Sequence, residues 1–267
     1  MEAISADIAG IAISLIFGLC AGSFATAIIS RVPSGHSWIA SPSGMERSAC
    51  PHCKHRLGVL DLIPLFSWLL LRGRCRYCKA QIGWRYPLIE SISAIMFVVA
   101  YLVWGFSVPG IVIMLATPFL LSLCVIDLEH MILPDQLNIV LAAIGMGFVA
   151  VAAPSVTSAV IHIVAGVLLF SGLIFVLGRI IGYWKKKDAL GLGDVKFMAV
   201  AGLWLGPWAI VPFMIMSGVV GLIFGLVWKI MTGRDQFPFG PALIATFWVL
   251  LMVKGGGLYS LFQLSPF

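Results

Sequence analysis

Eight apolar runs, near residues 8–29, 88–105, 109–126, 137–153, 158–183, 195–206, 209–228 and 240–253, leave this chain few folds to choose from. A segment that crosses the hydrocarbon core needs roughly 20 apolar residues, and as a helix it satisfies every backbone N–H and C=O internally. Charged residues make up only 10% of the 267-residue chain and apolar ones 61%, whereas a soluble domain carries about 25% charged residues. The predicted fold is an all-α integral membrane protein of about eight transmembrane helices, with a small cytoplasmic insertion after the first. Residues 1–30 supply the first helix, 31–86 the insertion, and 87–267 a membrane domain of about seven helices. Glu2 and Asp7 stand where a secretory signal would carry Lys or Arg, so the first run is expected to be retained as an anchor.

Charge orients this bundle. If the first helix runs from outside to inside, the segments 31–86, 127–136, 184–194 and 229–239 face the cytoplasm. In and beside those segments lie all of the 17 Lys and Arg residues except Lys254. The positive-inside rule then places both termini outside. The net charge of +6 reads as orientation and contact with anionic membrane lipid, not as nucleic-acid binding. Residues 195–228 must leave the cytoplasmic side and return, which allows each helix only about 25 Å of rise against a core of about 30 Å. Asp194 is therefore expected to be recessed into the bilayer, with Gly191 and Gly193 permitting irregular backbone beside it. No internal repeat or low-complexity segment is evident.

The six cysteines divide by setting. Cys20 and Cys124 sit inside apolar runs and read as small core residues. The others form Cys50-Pro51-His52-Cys53 and Cys75-Arg76-Tyr77-Cys78. Two CxxC pairs at this separation match a zinc ribbon, in which each pair gives two thiolates to a closed tetrahedral site. A cytoplasmic position disfavours disulfides, and an insertion of this size needs a metal staple in place of a core. Cys50, Cys53, Cys75 and Cys78 are the expected ligands of a structural zinc, with redox-active or idle thiols as alternatives and His52 and His55 as substitute ligands.

A carboxylate beside hydrocarbon is costly unless it has a task. Asp127 closes the third run and Asp194 opens the sixth, within Gly191-Leu192-Gly193-Asp194. Two such groups suggest a paired-carboxylate site that activates water, as in aspartyl proteases. Asp127 falls at the negative end of the third helix and Asp194 at the positive end of the sixth, where it is also placed to act as an N-cap. Asp127 is then the more readily protonated partner and Asp194 the base, titrating as one coupled unit. The plainer readings are a helix cap for Asp194 and a wetted interfacial charge for Asp127. The rival function is an ion- or proton-coupled transporter using the same two carboxylates. Asp135 is expected to cap a helix, Glu129 and His130 to be solvated neighbours of Asp127, His162 to be a hydrogen-bonded core histidine, and Lys185 to Lys187 a solvated stop signal. Glu46, Asp61 and Glu90 are acids placed to meet either a basic substrate or a cofactor. Gly22, Ser23 and Ala25 offer a small-residue face either to a substrate helix or to the protein's own helices.

Taken in order, a longer series of motifs resembles the type IV prepilin peptidases, or leader peptidase/N-methyltransferases, a family of GxGD membrane aspartyl proteases. The series runs from Gly22-Ser23-Phe24 with Arg31 and Pro33, through the two cysteine pairs, Asp61-Leu62-Ile63-Pro64, Ser67-Trp68 and Arg72-Gly73-Arg74-Cys75. It continues with Arg85-Tyr86-Pro87 and Glu90, Ile126-Asp127, Leu133-Pro134-Asp135, Gly191 to Lys196, and Phe239-Gly240-Pro241. Thr26 stands where members usually have Asn, Ser30 where an aromatic or His is common, and Asn138 where Thr is frequent.

The resemblance implies a bifunctional inner-membrane enzyme. It would remove the basic leader from type IV prepilins or type II secretion pseudopilins at the cytoplasmic face, cutting after a glycine, with Asp127 and Asp194 as the catalytic pair. It would then methylate the new N-terminal residue with S-adenosylmethionine. No Rossmann-type glycine fingerprint marks where that methyl donor binds.

Overall fold

The computed structural model describes residues 2–35, 48–50, 52–185, 191–234 and 236–255. Glu46, Pro51, Lys186 and Lys187 lie outside the described residues, as do the structural questions attached to them. The described chain is helical: α1 Glu2–Arg31, a short α2 Phe66–Leu70, α3 Arg85–Trp104, α4 Val108–His130, α5 Asp135–Ala152, α6 Val156–Lys185, α7 Leu192–Leu205, α8 Ile210–Thr232 and α9 Gly240–Gly255. No strand occurs among these residues. Setting α2 aside, the eight helices coincide with the eight apolar runs. Six of them are long and apolar enough to cross a membrane, while α7 and α9 are shorter. The chain forms two compact units, residues 1–106 and 107–267.

In the first unit α1 packs along α3. The contact is close because α1 puts small residues against it: a Cβ on Gly22 would fall 2.6 Å from the Glu90 Cα, and one on Gly18 2.6 Å from the Ala94 Cα. Ala25 is fully buried. Gly22 is thus occupied by the protein's own α3, and the small-residue face is not an open seat for a substrate helix. Between the two helices lies the insertion, with α2 and a 3-10 turn over Val59–Asp61.

The second unit is built around α4 and α7. The most apolar window of α4 is 61% buried whereas that of the Pro207–Thr232 span is 17% buried, so α4 is central and α8 peripheral. The strain foreseen for residues 195–228 falls on one helix alone. At 14 residues α7 rises about 21 Å, while α8 has 23 residues and spans comfortably. A short helix survives here because its C-terminal half, Val200 to Leu205, is buried by its neighbours and meets protein where lipid would otherwise be. Gly166 of α6 and Gly202 of α7 sit with no room for a side chain, each against the other's backbone carbonyl. On the other flank Trp204 donates its indole N–H to the Leu141 carbonyl at 2.9 Å, stacks on Phe148 and meets Phe247 edge-on. Phe197 meets the same Phe247 edge-on. These aromatic contacts tie α7 to α5 and α9.

Candidate active site, metal centre and cavity

Asp127 lies one turn before the C-terminus of α4, and its backbone carbonyl accepts the N–H of Met131, a left-handed residue (φ 55°) that ends the helix. Its side chain is buried, and Oδ2 accepts a hydrogen bond from the Gly240 N–H at 2.9 Å. Gly240 is the first residue of α9, so this donor belongs to a helix N-terminus. Asp194 is the third residue of α7 and partly buried. It is not the N-cap, a position held by Gly191; from the third position of the helix its carboxylate accepts the Gly191 backbone N–H. The positive end of the helix dipole still acts on it.

The chain between α4 and α5 brings these two groups together. Leu133 lies against Gly193, where a Cβ would come within 3.1 Å of the Leu133 Cβ. Asp127 and Asp194 consequently occupy the same end of the unit, within electrostatic reach of each other. A paired-carboxylate site at this end can hold one proton between two oxygens and polarise a water. The Gly240 N–H brings a positive helix end to Asp127 as well, so helix ends alone do not divide acid from base. The roles therefore attach to the pair as a unit.

Asp135, expected as a cap, is the first residue of α5 and makes no capping hydrogen bond. It pairs instead with Lys196 of α7, at 2.7 and 2.8 Å to its two oxygens. That link fastens the first turn of α5 to the turn carrying Asp194. Glu129 and His130 are partly exposed and 3.9 Å apart. His162 packs its ring on Gly206. Asn138 is buried, its side-chain N–H donating to the Pro134 carbonyl at 3.3 Å.

The first unit holds the four cysteines. The thiol sulfurs of Cys50, Cys53, Cys75 and Cys78 all lie within 4.8 Å of one another. Zn–S bonds of about 2.3 Å in a tetrahedron require S···S edges of about 3.8 Å. The Cys50 to Cys78 separation is 3.8 Å, so the donor set fits zinc. The two halves share one local design. Cys50 N–H donates to the His55 carbonyl and Lys54 N–H to that of Cys50; Cys75 N–H donates to Ala80 and Lys79 N–H to Cys75. Lys54 and Lys79 both take positive φ, 58° and 60°. Isolated antiparallel bridges, Ala49 with Arg56 and Arg74 with Gln81, close each turn. A structural repeat is present here, and in sequence the two halves share the cysteines and the lysine that follows each pair.

The thiols are also electrically coupled. Hydrogen bonds from the Cys53 and His52 backbone push Cys50 down to about 6. Cys78 receives a lowering hydrogen bond from the Ala80 backbone, yet burial and the sulfurs of Cys53, Cys75 and Cys50 push it up to about 11. Four thiols this close cannot all ionise unless a cation joins them. His55 stacks on Tyr77, ring centroids 3.6 Å apart, and neither His55 nor His52 belongs to the metal-competent group.

The same unit contains a cavity of about 510 Å³. Ser23, Thr26, Ser30 and Arg31 of α1, Glu90 of α3, and Asp61, Trp68 and Arg76 of the insertion line it. Its two carboxylates differ. Asp61 is desolvated, which alone would raise it, but Arg76 at 2.6 Å and the Gly58 N–H hold it below the usual carboxylate range. Glu90 is buried, accepts the Leu65 N–H at 2.7 Å and has the Ser23 hydroxyl within hydrogen-bond reach. By sequence alone the two acids belong to one class. The structure separates them, because Arg76 lies 15 residues from Asp61 along the chain and only folding brings it near.

Residues 16–104 match a model of the bacterial peptidase A24 N-terminal domain, and residues 114–226 match that of the type IV leader peptidase family. The type 4 prepilin-like proteins leader peptide-processing enzyme of Escherichia coli O78:H11 is 35% identical over 86% of this chain and 89% of its own length. The prepilin leader peptidase/N-methyltransferases of Aeromonas hydrophila and Pectobacterium carotovorum are each 35% identical, over 89% and 85% of this chain and 88% of theirs. No solved structure matches the chain.

Proposed function

The chain belongs to the type IV leader peptidase family, and on that premise we propose that it cleaves the basic leader from prepilins or pseudopilins and N-methylates the new terminus with S-adenosylmethionine. The observation that carries the proteolytic half is the meeting of Asp127 and Asp194 at one end of the second unit. Asp127 and Asp194 together hold a proton and orient the attacking water, one carboxylate taking a proton from it as the other donates to the peptide group. The Gly240 N–H orients the Asp127 carboxylate for this work. A prepilin presents a basic leader to water and an apolar helix to lipid, so its scissile bond sits at the interface. An acidic pair near helix ends meets it at that depth.

The division of labour we propose follows the segments 1–30, 31–86 and 87–267, with Asp127 and Asp194 in the last and zinc on Cys50, Cys53, Cys75 and Cys78 in the insertion. The zinc is structural, since four thiolates close the shell and leave no position for substrate. The residues around the 510 Å³ cavity fit S-adenosylmethionine in size and polarity. Trp68 offers an aromatic face, the α1 hydroxyls offer hydrogen bonds, and the donor when bound supplies the methyl group. In orientation the proposal keeps both termini periplasmic and the site at the cytoplasmic face. The transporter alternative gains nothing from relatives whose names describe processing enzymes.

The test is cleavage of a purified prepilin by the full-length protein in lipid nanodiscs, with Asp127→Asn and Asp194→Asn beside the unaltered chain. Loss of cleavage in both variants, with methylation of a pre-cleaved pilin retained, is the expected result. Full cleavage by either variant removes the assignment.

A further inference from the structure

Glu90 is a carboxylate on the cavity wall of the first unit for which no cation is found among the described residues. It is 7% exposed, lies in the second turn of the spanning helix α3 and lines the 510 Å³ cavity. Asp61, the other carboxylate there, already has Arg76 at 2.6 Å and the Tyr77 hydroxyl at 3.3 Å. No Lys or Arg among the described residues is paired with Glu90. A buried carboxylate is expensive unless something positive joins it. Its two protein donors, the Leu65 N–H and the Ser23 hydroxyl, occupy two of about four acceptor positions. The group is therefore seated by the protein and still able to receive more.

We infer that Glu90 binds the α-ammonium of the freshly cut pilin N-terminus and takes one proton from it, as the catalytic base of methyl transfer. The inference rests on the proposed methyltransferase function. A primary ammonium is small, triply donating and positive, which is what Glu90 and the hydroxyls of Ser23, Thr26 and Ser30 together are built to receive. An ammonium has no lone pair, so one proton must leave before nitrogen can attack. Glu90 accepts that proton, and the neutral amine then takes the methyl group as the donor's carbon–sulfur bond breaks and a neutral thioether departs. An amine of ordinary affinity, near 8, otherwise stays mostly protonated at neutral pH. Arg31 on α1, His52, Asp61 and Arg76 in the insertion and Tyr86 on α3 are the other titratable or charged groups on the cavity wall besides its two cysteines. Arg76 on this wall is already engaged by Asp61.

The same chemistry exists on the donor, whose amino-acid portion also carries an ammonium, so the experiment separates the two. Glu90→Gln keeps an acceptor for the Leu65 N–H and removes the charge. The full-length variant in nanodiscs is compared with the unaltered chain on three readouts. The first needs no donor: binding of a peptide matching a processed pilin N-terminus, with its amine free or acetylated. The unaltered chain is expected to prefer the free amine at least tenfold, and Glu90→Gln to bind both forms alike; a preserved preference overturns the inference.

The second readout is methylation, expected to fall about 10² to 10⁴-fold. The deficit should shrink as pH rises past about 8, where the amine loses its proton unaided. An equal deficit at every pH overturns the role. The third is equilibrium binding of S-adenosylmethionine, expected to change by less than twofold. A parallel loss assigns Glu90 to the donor and overturns the acceptor assignment. Leader cleavage, which uses the other unit, reports folding. Glu90→Asp keeps the charge and should restore the amine preference; a normally cleaving Glu90→Asp without it counts against the inference. An unaltered chain that cleaves but never methylates sinks the methyltransferase reading itself, a result distinct from normal methylation by Glu90→Gln.

Discussion

The backbone N–H of Gly240 donates to the Asp127 carboxylate at 2.9 Å, joining residues 113 positions apart. The glycine is required by space as well as by the bond, since a Cβ there would stand 2.6 Å from Oδ2 and 2.9 Å from Cγ of Asp127. Aspartate has one methylene with which to retreat. Gly240→Ala should therefore cost the hydrogen bond and displace the carboxylate, a loss of about 1.5–3 kcal/mol for a bond to a charged acceptor. Leader cleavage should fall roughly 10- to 100-fold, measured as kcat/KM on a prepilin, with zinc content unchanged.

The contact between Gly166 and Gly202 seats the helix that carries Asp194. Each residue faces the other's carbonyl with no room for a methyl group. Gly202→Val should push α7 away from α6 and destabilise the second unit by about 1–3 kcal/mol. A lowered thermal midpoint in detergent, together with reduced cleavage, is the expected result. An unchanged midpoint would mean the two helices do not press together at this point.

The Asp135 to Lys196 pair is largely exposed, with side chains 61% and 51% accessible. Such pairs contribute about 0–1 kcal/mol to stability, so Lys196→Met should leave the thermal midpoint almost unmoved. Its effect belongs to positioning: the pair fixes the turn that bears Asp194. Cleavage should drop severalfold through kcat, with KM little changed.

Removal of the metal should unmake the insertion selectively. Cys75→Ser is expected to abolish bound zinc, read by elemental analysis, and to expose residues 48–82 to limited proteolysis. The ligands bind as thiolates, so falling pH protonates them and releases metal. Release should grow as pH drops, with no comparable loss above neutrality.

Asp61 offers a pH test of the cavity wall. Its folded affinity for protons lies below the ordinary 3.8 because Arg76, Gly58 and Tyr77 favour the carboxylate over the cost of burial. A depressed folded value contributes stability above the unfolded value and loses it as pH falls through the folded one. Arg76→Gln should raise the Asp61 titration toward or above 3.8, observable by carboxyl NMR, and shift acid sensitivity of the insertion to higher pH.

The apolar runs revealed the helices by themselves, because a membrane leaves a backbone no alternative to internal hydrogen bonding, and Glu2–Arg31 through Gly240–Gly255 follow the eight runs within a few residues. The carboxylates at 127 and 194 stood out for the same reason, as charges where charge is costly, and the cysteines announced themselves by spacing. Packing decided the rest. Whether Asp135 caps a helix or meets Lys196, whether Asp194 caps or follows Gly191, and which acid keeps its cation depend on neighbours far away in sequence. A donor such as Gly240 N–H carries no side-chain signature at all, and only the fold aims it at Asp127. Local chemistry and hydropathy act on residues in series, whereas partnership is a matter of distance in space, and that distance exists only once the helices have packed.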